Sequence, residues 1–317
     1  MDATRIELWT RFLDANKDPH SLTKHEWDRF ECLRASGEID ARGKPADSPR
    51  PVSARAIEQE QRFLAAVFTW ACSWQQNGAR LMSLDKNPLT DRRMFPFASE
   101  KNPCREVATE NRYQRTRAVA DQIQTGKWVA DPGGGKQLFV SKRSHLSEIL
   151  DLAHHTGRRV SAILALTFAD LRLHPTTEAP HGCIHWAEDA DKMDKEWMTP
   201  ISAETHAVLK GILHDRSGIG SRPLFPSVLD PTVPVAYRVA AKWLKEAERL
   251  AGLSPLKSAL WHAYRRKWAS ERKHLPPADV AEMGGWSCVE ALAIYQRPDA
   301  QTRQLVLTDR RPIREIS

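Results

Sequence analysis

The sequence predicts a mainly helical α+β fold in two domains. Three observations carry this reading. Apolar residues recur at helical spacing through most of the chain. Two short alternating segments, Gly182 to Ala187 and Glu196 to Ile201, flank a polar turn and read as a β hairpin. The 317 residues also exceed the length, about 250–300, at which a single core stops growing.

The helical elements follow in order. Ile6, Trp9, Phe12 and Leu13 recur at helical spacing, and Trp27, Phe30 and Leu33 do the same after a cap at Ser21 or Thr23. Gly37 to Pro51 is a loop rich in Gly, Pro and charge. A long helix is expected from Ala54 to Gln76, with Phe63, Leu64, Val67, Phe68 and Ala71 on one stripe. Asn87-Pro88 ends the next short piece, because the residue before proline avoids the helical region. Thr109 to Gln124 reads as a helix with Arg112, Arg115 and Arg117 on a basic surface.

Asp131-Pro132-Gly133-Gly134-Gly135-Lys136 is then the expected joint between domains. It does not fit a phosphate loop, since Ala130 stands where the first glycine belongs and Gln137 replaces the Ser or Thr after the lysine. Further helices are expected over 144–155, 159–170, 202–214, 235–251, 260–274 and 277–283. Ser287-x-x-Glu290 reads as a capping box, predicting a last helix from Cys288 to Gln296. The expected divisions are 1–130, a helical domain; 131–300, a mixed domain; and 301–317, a tail.

Composition narrows the function classes. Apolar residues at 41% and charged residues at 27% suit packed cores and argue against a disordered chain. There are 47 basic and 40 acidic residues, a formal charge of +7, with a pI near 9.2. That excess is consistent with a polyanion partner without proving one. The longest apolar stretch, Phe63 to Trp74, falls short of the roughly 20 residues of a membrane span. Met1-Asp2-Ala3-Thr4-Arg5 leads into an amphipathic pattern, not a signal peptide. Cys32, Cys72, Cys104, Cys183 and Cys288 are scattered and form no C-x-x-C pair, so a reducing, cytoplasmic compartment is expected. His181, Cys183 and His185 alternate like ligands on one strand face, but no fourth ligand is near, and strand packing is the better reading.

Four short motifs occur in a telling order. Thr156-Gly157-Arg158-Arg159 comes first. Lys192 follows in the expected hairpin turn, with Pro200 after it. His262-Ala263-Tyr264-Arg265 is next, then Gly284-Gly285-Trp286 with Tyr295 further on. Each motif alone is weak; together, in this order and spacing, they resemble the tyrosine recombinase or phage integrase family. The resemblance is strong over residues 140–300 and loose in the helical first part. It implies a core-binding domain and a catalytic domain forming a C-shaped clamp on double-stranded DNA recombination sites. It implies a homotetramer on DNA, with residues 301–317 packing on a neighbour, and no metal or ATP. The localisation implied is the cytoplasm, at the nucleoid, in a bacterial or phage setting.

The resemblance also assigns roles. Arg159 and Arg265 would clamp the scissile phosphate, a task suited to a planar, permanently charged fork. His262, three residues before Arg265 on the same helix face, would bond a phosphate oxygen or assist proton transfer. Lys192 would protonate the leaving 5′ oxygen, and Tyr295 would attack phosphorus. Trp286 would pack, donate its indole N–H to phosphate, or both. Arg158 competes with Arg159, Arg266 competes less well with Arg265, and Lys195 reads as a solvated turn lysine. Tyr264 and Trp268 read as packing. One departure stands out: Ala162 occupies the place of the family's usual carboxylate, while Asp170 matches a later, structural Asp. The alternatives are a type IB topoisomerase-like DNA-relaxing enzyme, a non-catalytic DNA-binding regulator of the same fold and, more distantly, a helical interaction protein.

Overall fold

The computed structural model describes residues 2–76, 78–80, 87–90, 105–129, 138–188, 196–216, 218–256 and 260–296. The chain divides into two compact units, Met1–Pro103 and Cys104–Ser317.

In the first unit, α1 (Asp2–Leu13), α2 (Lys24–Ser36) and α3 (Ala54–Ser73) bury Leu8, Trp9, Trp27, Phe30, Ile57 and Leu64 together. The start of α2 is fixed by Thr23, which accepts from the Glu26 N–H while Glu26 reaches back to the Thr23 N–H. α3 is shorter than expected. Trp74 turns extended, and β1 (Gln75–Gln76) pairs with β2 (Ala79–Arg80). Asn87 is tied to α3 by hydrogen bonds from Nδ2 to the Ala65 carbonyl (2.7 Å) and to Thr69 Oγ1 (2.9 Å).

By contact the second unit includes α4 (Glu110–Ala120), which lies before the joint expected at 131–136. The reason is packing. Arg112 is buried and paired with Glu248, and Arg117 donates to Asp151, so two of the three arginines read as a basic surface turn inward. The expected helix to Gln124 also stops early, because β3 (Gln124–Val129) pairs antiparallel with β4 (Leu138–Arg143). The expected glycine joint at 131–136 lies outside the described residues.

α5 (Leu146–Thr156) and α6 (Val160–Ala165) follow. α6 ends early because the Leu166 carbonyl accepts from the Leu224 N–H (2.7 Å), and a short 3₁₀ turn covers Phe168–Asp170. β5 (Leu171–Arg172), β6 (Cys183–Trp186) and β7 (Trp197–Pro200) form an antiparallel sheet with β6 central. Ile184 opposes Thr199, and Trp186 opposes Trp197. Ile184 and Trp186 face the core while Cys183 and His185 take the other face, the alternation the sequence carries.

α7 (Ala203–Asp215), α8 (Tyr237–Leu250) and α9 (Leu260–Glu271) complete the main core with Leu209, Trp243, Leu244 and Tyr264. α10 (Pro277–Gly284) and α11 (Val289–Ala293) cover a satellite cluster of Trp268, Ala269, Val280, Ala281, Trp286 and Leu292. The expected capping box is not formed. Cys288 is the N-cap, which puts Glu290 one place too early to reach back to it as an N3 residue. Among the described residues, no helix is long and apolar enough to cross a membrane.

Candidate active site

The site is built from the turn after α5, one face of α9 and the turns that follow α10 and α11. α5 ends at Gly157, whose φ of 64° is left-handed, so its N–H caps the Ala153 carbonyl. A Cβ there would lie 2.3 Å from Trp268 Cδ2, so only glycine fits. Arg158 and Arg159 follow the turn, and both line one cavity. Arg158 is buried; its Nη2 donates to Thr199 Oγ1 (2.6 Å) and to the Glu282 carbonyl (3.2 Å). Its guanidinium lies 5.1 Å and 5.4 Å from the ring centres of Trp186 and Trp197. Arg159, the N-cap of α6, is half-buried and donates from Nη1 to the Gly285 carbonyl (3.4 Å).

α9 carries His262 and Arg265 on one face, three residues apart. Arg265 is buried and donates from Nη1 to the carbonyls of Gly157 and Gly284 (2.6 Å) and from Nη2 to that of Gly285 (3.1 Å). One guanidinium thus joins the first and last motifs. Gly285 closes α10 with φ 70°, and a Cβ on it would lie 2.2 Å from Arg158 Nη1. At Gly284 a Cβ would meet Trp286 Cζ3 at 1.9 Å.

Trp286 is 2% exposed. The Arg265 guanidinium sits over its ring at 3.6 Å, and Trp268 stacks on it at 5.9 Å. Its indole Nε1 is buried and has no hydrogen-bond partner. Tyr295 meets the Trp286 edge at 5.3 Å. It lies in the turn after α11 rather than inside a helix reaching Gln296, held by its N–H to the Leu292 carbonyl (2.8 Å) and by Ser270 Oγ to its own carbonyl (3.3 Å). Its ring centre is 6.3 Å from that of His262 and 5.6 Å from Arg265 Cζ.

Arg159, His262 and Arg265 line one cavity of about 310 Å³ with Ser161, Tyr237 and Trp261. Burial and the charges of Arg265, Arg266, Arg159 and Arg105 push His262 down to about 4. The residue as a whole is exposed, so water weakens the burial effect, but the surrounding cations act in the same direction. The pocket thus carries an excess of positive charge around a neutral imidazole. A bound phosphate would neutralise that excess.

The structure therefore brings together Arg159, His262, Arg265, Trp286 and Tyr295. Lys192 and Lys195 lie outside the described residues. Tyr237 and Trp261 line the cavity without any local signal in the sequence; only the close approach of α8 and α9 puts them there. Ala162 is buried beside a second cavity of about 280 Å³ that Asp170 also lines. Asp170 Oδ2 accepts from the Thr167 N–H (2.8 Å) and hydroxyl (2.7 Å), and Oδ1 meets His185 Nδ1 at 3.0 Å. His185 Nε2 bonds Glu196 on the other side, and the Asp170 bond first, then the Glu196 bond, raise its affinity for a proton. Both ring nitrogens are thus engaged by carboxylates. Among the described residues, no three His, Cys, Asp or Glu side chains gather to hold a metal ion.

The sequence model of the phage integrase family matches residues 137–302. No curated protein sequence matches the chain. Several solved structures are similar in fold. One is a lambda integrase dimer bound to a COC′ core site, 14% identical, covering 99% of this chain and 90% of that one, with a TM-score of 0.59. Another is the Tn1549 transposon integrase in complex with transposon right end DNA, 14% identical, covering 97% and 93%, with a TM-score of 0.59. A third is the XerH site-specific recombinase bound to palindromic difH substrate after cleavage, 17% identical, covering 81% and 67%, with a TM-score of 0.57.

Proposed function

The chain belongs to the phage integrase family, and from that premise we propose that it cleaves and rejoins double-stranded DNA at specific sites through Tyr295. It is a tyrosine recombinase, a DNA strand-transferase. The observation that carries the residue assignment is the convergence of Arg159, His262 and Arg265 on one cavity, with the Tyr295 ring beside Arg265 and His262.

The proposed chemistry follows from charge. A phosphodiester repels nucleophiles, and attack adds negative charge to its non-bridging oxygens. Arg159 and Arg265 offer fixed cationic donors to that charge, and His262 offers a third group. The Tyr295 hydroxyl oxygen attacks phosphorus and passes its proton to the neutral His262 imidazole or to water. The P–O bond to the 5′ oxygen breaks, and Lys192 supplies the proton that oxygen takes. The product is a 3′-phosphotyrosine link and a free 5′ hydroxyl. Attack by a 5′ hydroxyl reverses the steps, so the linkage energy is conserved and neither metal nor ATP is consumed. The first unit serves as the core-DNA-binding unit and the second as the catalytic unit. Four copies act on two sites, with residues 301–317 reaching a neighbour.

The test is covalent capture. The wild-type chain is mixed with a pool of nicked duplexes of random sequence, and denaturation-resistant adducts are recovered and sequenced. Wild type should give adducts of shared sequence, and Tyr295→Phe should give none while still binding the recovered duplex. Adducts formed by Tyr295→Phe would remove the nucleophile assignment. Strand exchange between two recovered sites distinguishes recombination from simple relaxation of supercoils.

A further inference from the structure

The site helix α9 is held from behind by a buried polar network. Tyr264, between His262 and Arg265 in sequence, is fully buried. Its hydroxyl donates to Glu248 Oε1 (3.1 Å) and lies 3.3 Å from Thr116 Oγ1, whose own hydroxyl donates to the Arg112 carbonyl (2.8 Å). Arg112 donates from Nε to Glu248 Oε1 (2.8 Å) and pairs through Nη2 with Oε2 (2.8 Å). The same Nη2 reaches the Ser254 carbonyl (2.9 Å). Arg112 and Glu248 are 8% and 5% exposed, so both charges sit out of water. Three helices, α4, α8 and α9, meet in this one cluster.

A buried Arg–Glu pair is a poor device for stability alone, since taking two charges out of water offsets most of their attraction. A fully hydrogen-bonded buried network instead fixes geometry. Successive residues turn about 100° around a helix, which places Tyr264 on the side of α9 away from His262 and Arg265. A hydrogen bond at Tyr264 therefore sets the rotation of the helix that aims those two side chains. A rotation of about 10° moves a group about 6 Å from the axis by about 1 Å. A misplacement of that size can cost about a hundredfold in rate. The same side of the unit holds the start of α9 and the chain before α4 together. The Ala108 N–H donates to the Ala263 carbonyl (3.1 Å), Arg266 Nη1 to the Glu106 carbonyl (2.7 Å), and Lys267 Nζ pairs with Glu110 (2.7 Å).

We propose that Tyr264, Glu248 and Arg112 are positioning residues for strand cleavage: their network sets the rotation of α9, and so the aim of His262 and Arg265 at the scissile phosphate. The inference rests on the strand-transfer reading above. Burial and the Glu248 carboxylate hold the Tyr264 hydroxyl well above its ordinary pKa, so it remains a donor at neutral pH.

The experiment uses the full chain and the nicked duplex recovered by covalent capture on the wild type. Tyr264→Phe, Glu248→Gln and the double variant are compared by dissociation constant, melting temperature and adduct formation at saturating protein. Each single variant should bind DNA within about twofold of wild type yet form adduct at least about tenfold more slowly well below its melting temperature. The double variant should be no slower than the worse single one, because the groups act as a unit. Arg112→Lys keeps the charge and one donor, and should recover part of the loss seen in Arg112→Ala. A lower melting temperature with an unchanged rate in the bound complex would make the network structural only and overturn the proposal. Additive losses in the double variant would also overturn it. Absence of any wild-type adduct would sink the strand-transfer reading itself, and this inference with it.

Discussion

Replacing Trp286 separates packing from hydrogen bonding in the site. The ring is sandwiched by the Arg265 guanidinium at 3.6 Å and Trp268 at 5.9 Å, with Tyr295 against its edge at 5.3 Å. Trp286→Ala removes a buried aromatic, which costs about 3–5 kcal/mol, and a desolvated cation–π contact worth about 2 kcal/mol. That sum rivals the whole stability of a domain, about 5–15 kcal/mol. The α11 segment and Tyr295 should lose their seat. Trp286→Phe is different. It keeps an aromatic face under Arg265 and removes an indole N–H that is buried without a partner, an arrangement costing about 1–3 kcal/mol in itself. The gain offsets much of the lost contact, so we expect a net loss near 1 kcal/mol. Chemical denaturation should rank the variants Phe, His, Ala in order of falling stability, and adduct formation on a captured nicked duplex should follow that order. If Phe falls to the Ala level in cleavage with normal stability, and His restores activity better than Phe, the N–H is a phosphate donor and the packing argument fails.

Two further outcomes follow from the structure, and the one for Lys192 from the family resemblance. Arg159→Ala should slow cleavage by about 10²–10³ with stability nearly intact, whereas Arg158→Ala, which unseats a buried cation between Trp186 and Trp197, should lower the melting temperature first; equal stability losses in the two would refute the division of labour. Lys192→Ala should cleave an ordinary substrate poorly and recover on a 5′-bridging phosphorothiolate, whose leaving group needs no proton; rescue seen with Lys195→Ala instead would move the general acid there. Burial, the largest cause, and neighbouring cations push His145 and His154 down to about 4, below the 6.5 of an unfolded chain. The unfolded state therefore takes up protons first as pH falls. The stability these neutral rings allow is complete above about 6.5 and is lost toward 4, by at most about 3 kcal/mol for the buried His145 ring and by less for the partly exposed His154. Urea midpoints measured from pH 7.5 to 4 should drop through that window, and a flat profile would contradict the assignment.

The sequence by itself determined the residue types and their order. The order and spacing of Arg159, His262, Arg265 and Tyr295, and with them the resemblance to the phage integrase family, stand in the sequence without coordinates. Local backbone demands were legible too. The period of α2, a cap at Ser21 or Thr23 and the alternation of β6 depend only on residues within a turn or two, and the structure settles the cap on Thr23. The last cap was misjudged for the same reason, since Ser287-x-x-Glu290 fits the pattern but the chain begins α11 one residue later, at Cys288.

Tertiary structure decided what nearby residues cannot encode. Arg158 and Arg159 are adjacent and chemically alike. Their difference is one of burial: Trp186, Trp197 and Thr199 arrive from the sheet against Arg158, while Arg159 stays half-buried, and both line the cavity. Arg112 looked like a surface cation, and only its pairing with Glu248, 136 residues away, turned α4 inward against the second unit's core. Helical period and caps are set within a few residues of chain. The choice of which charge is buried, and against what, is set by partners that meet only once the helices have packed.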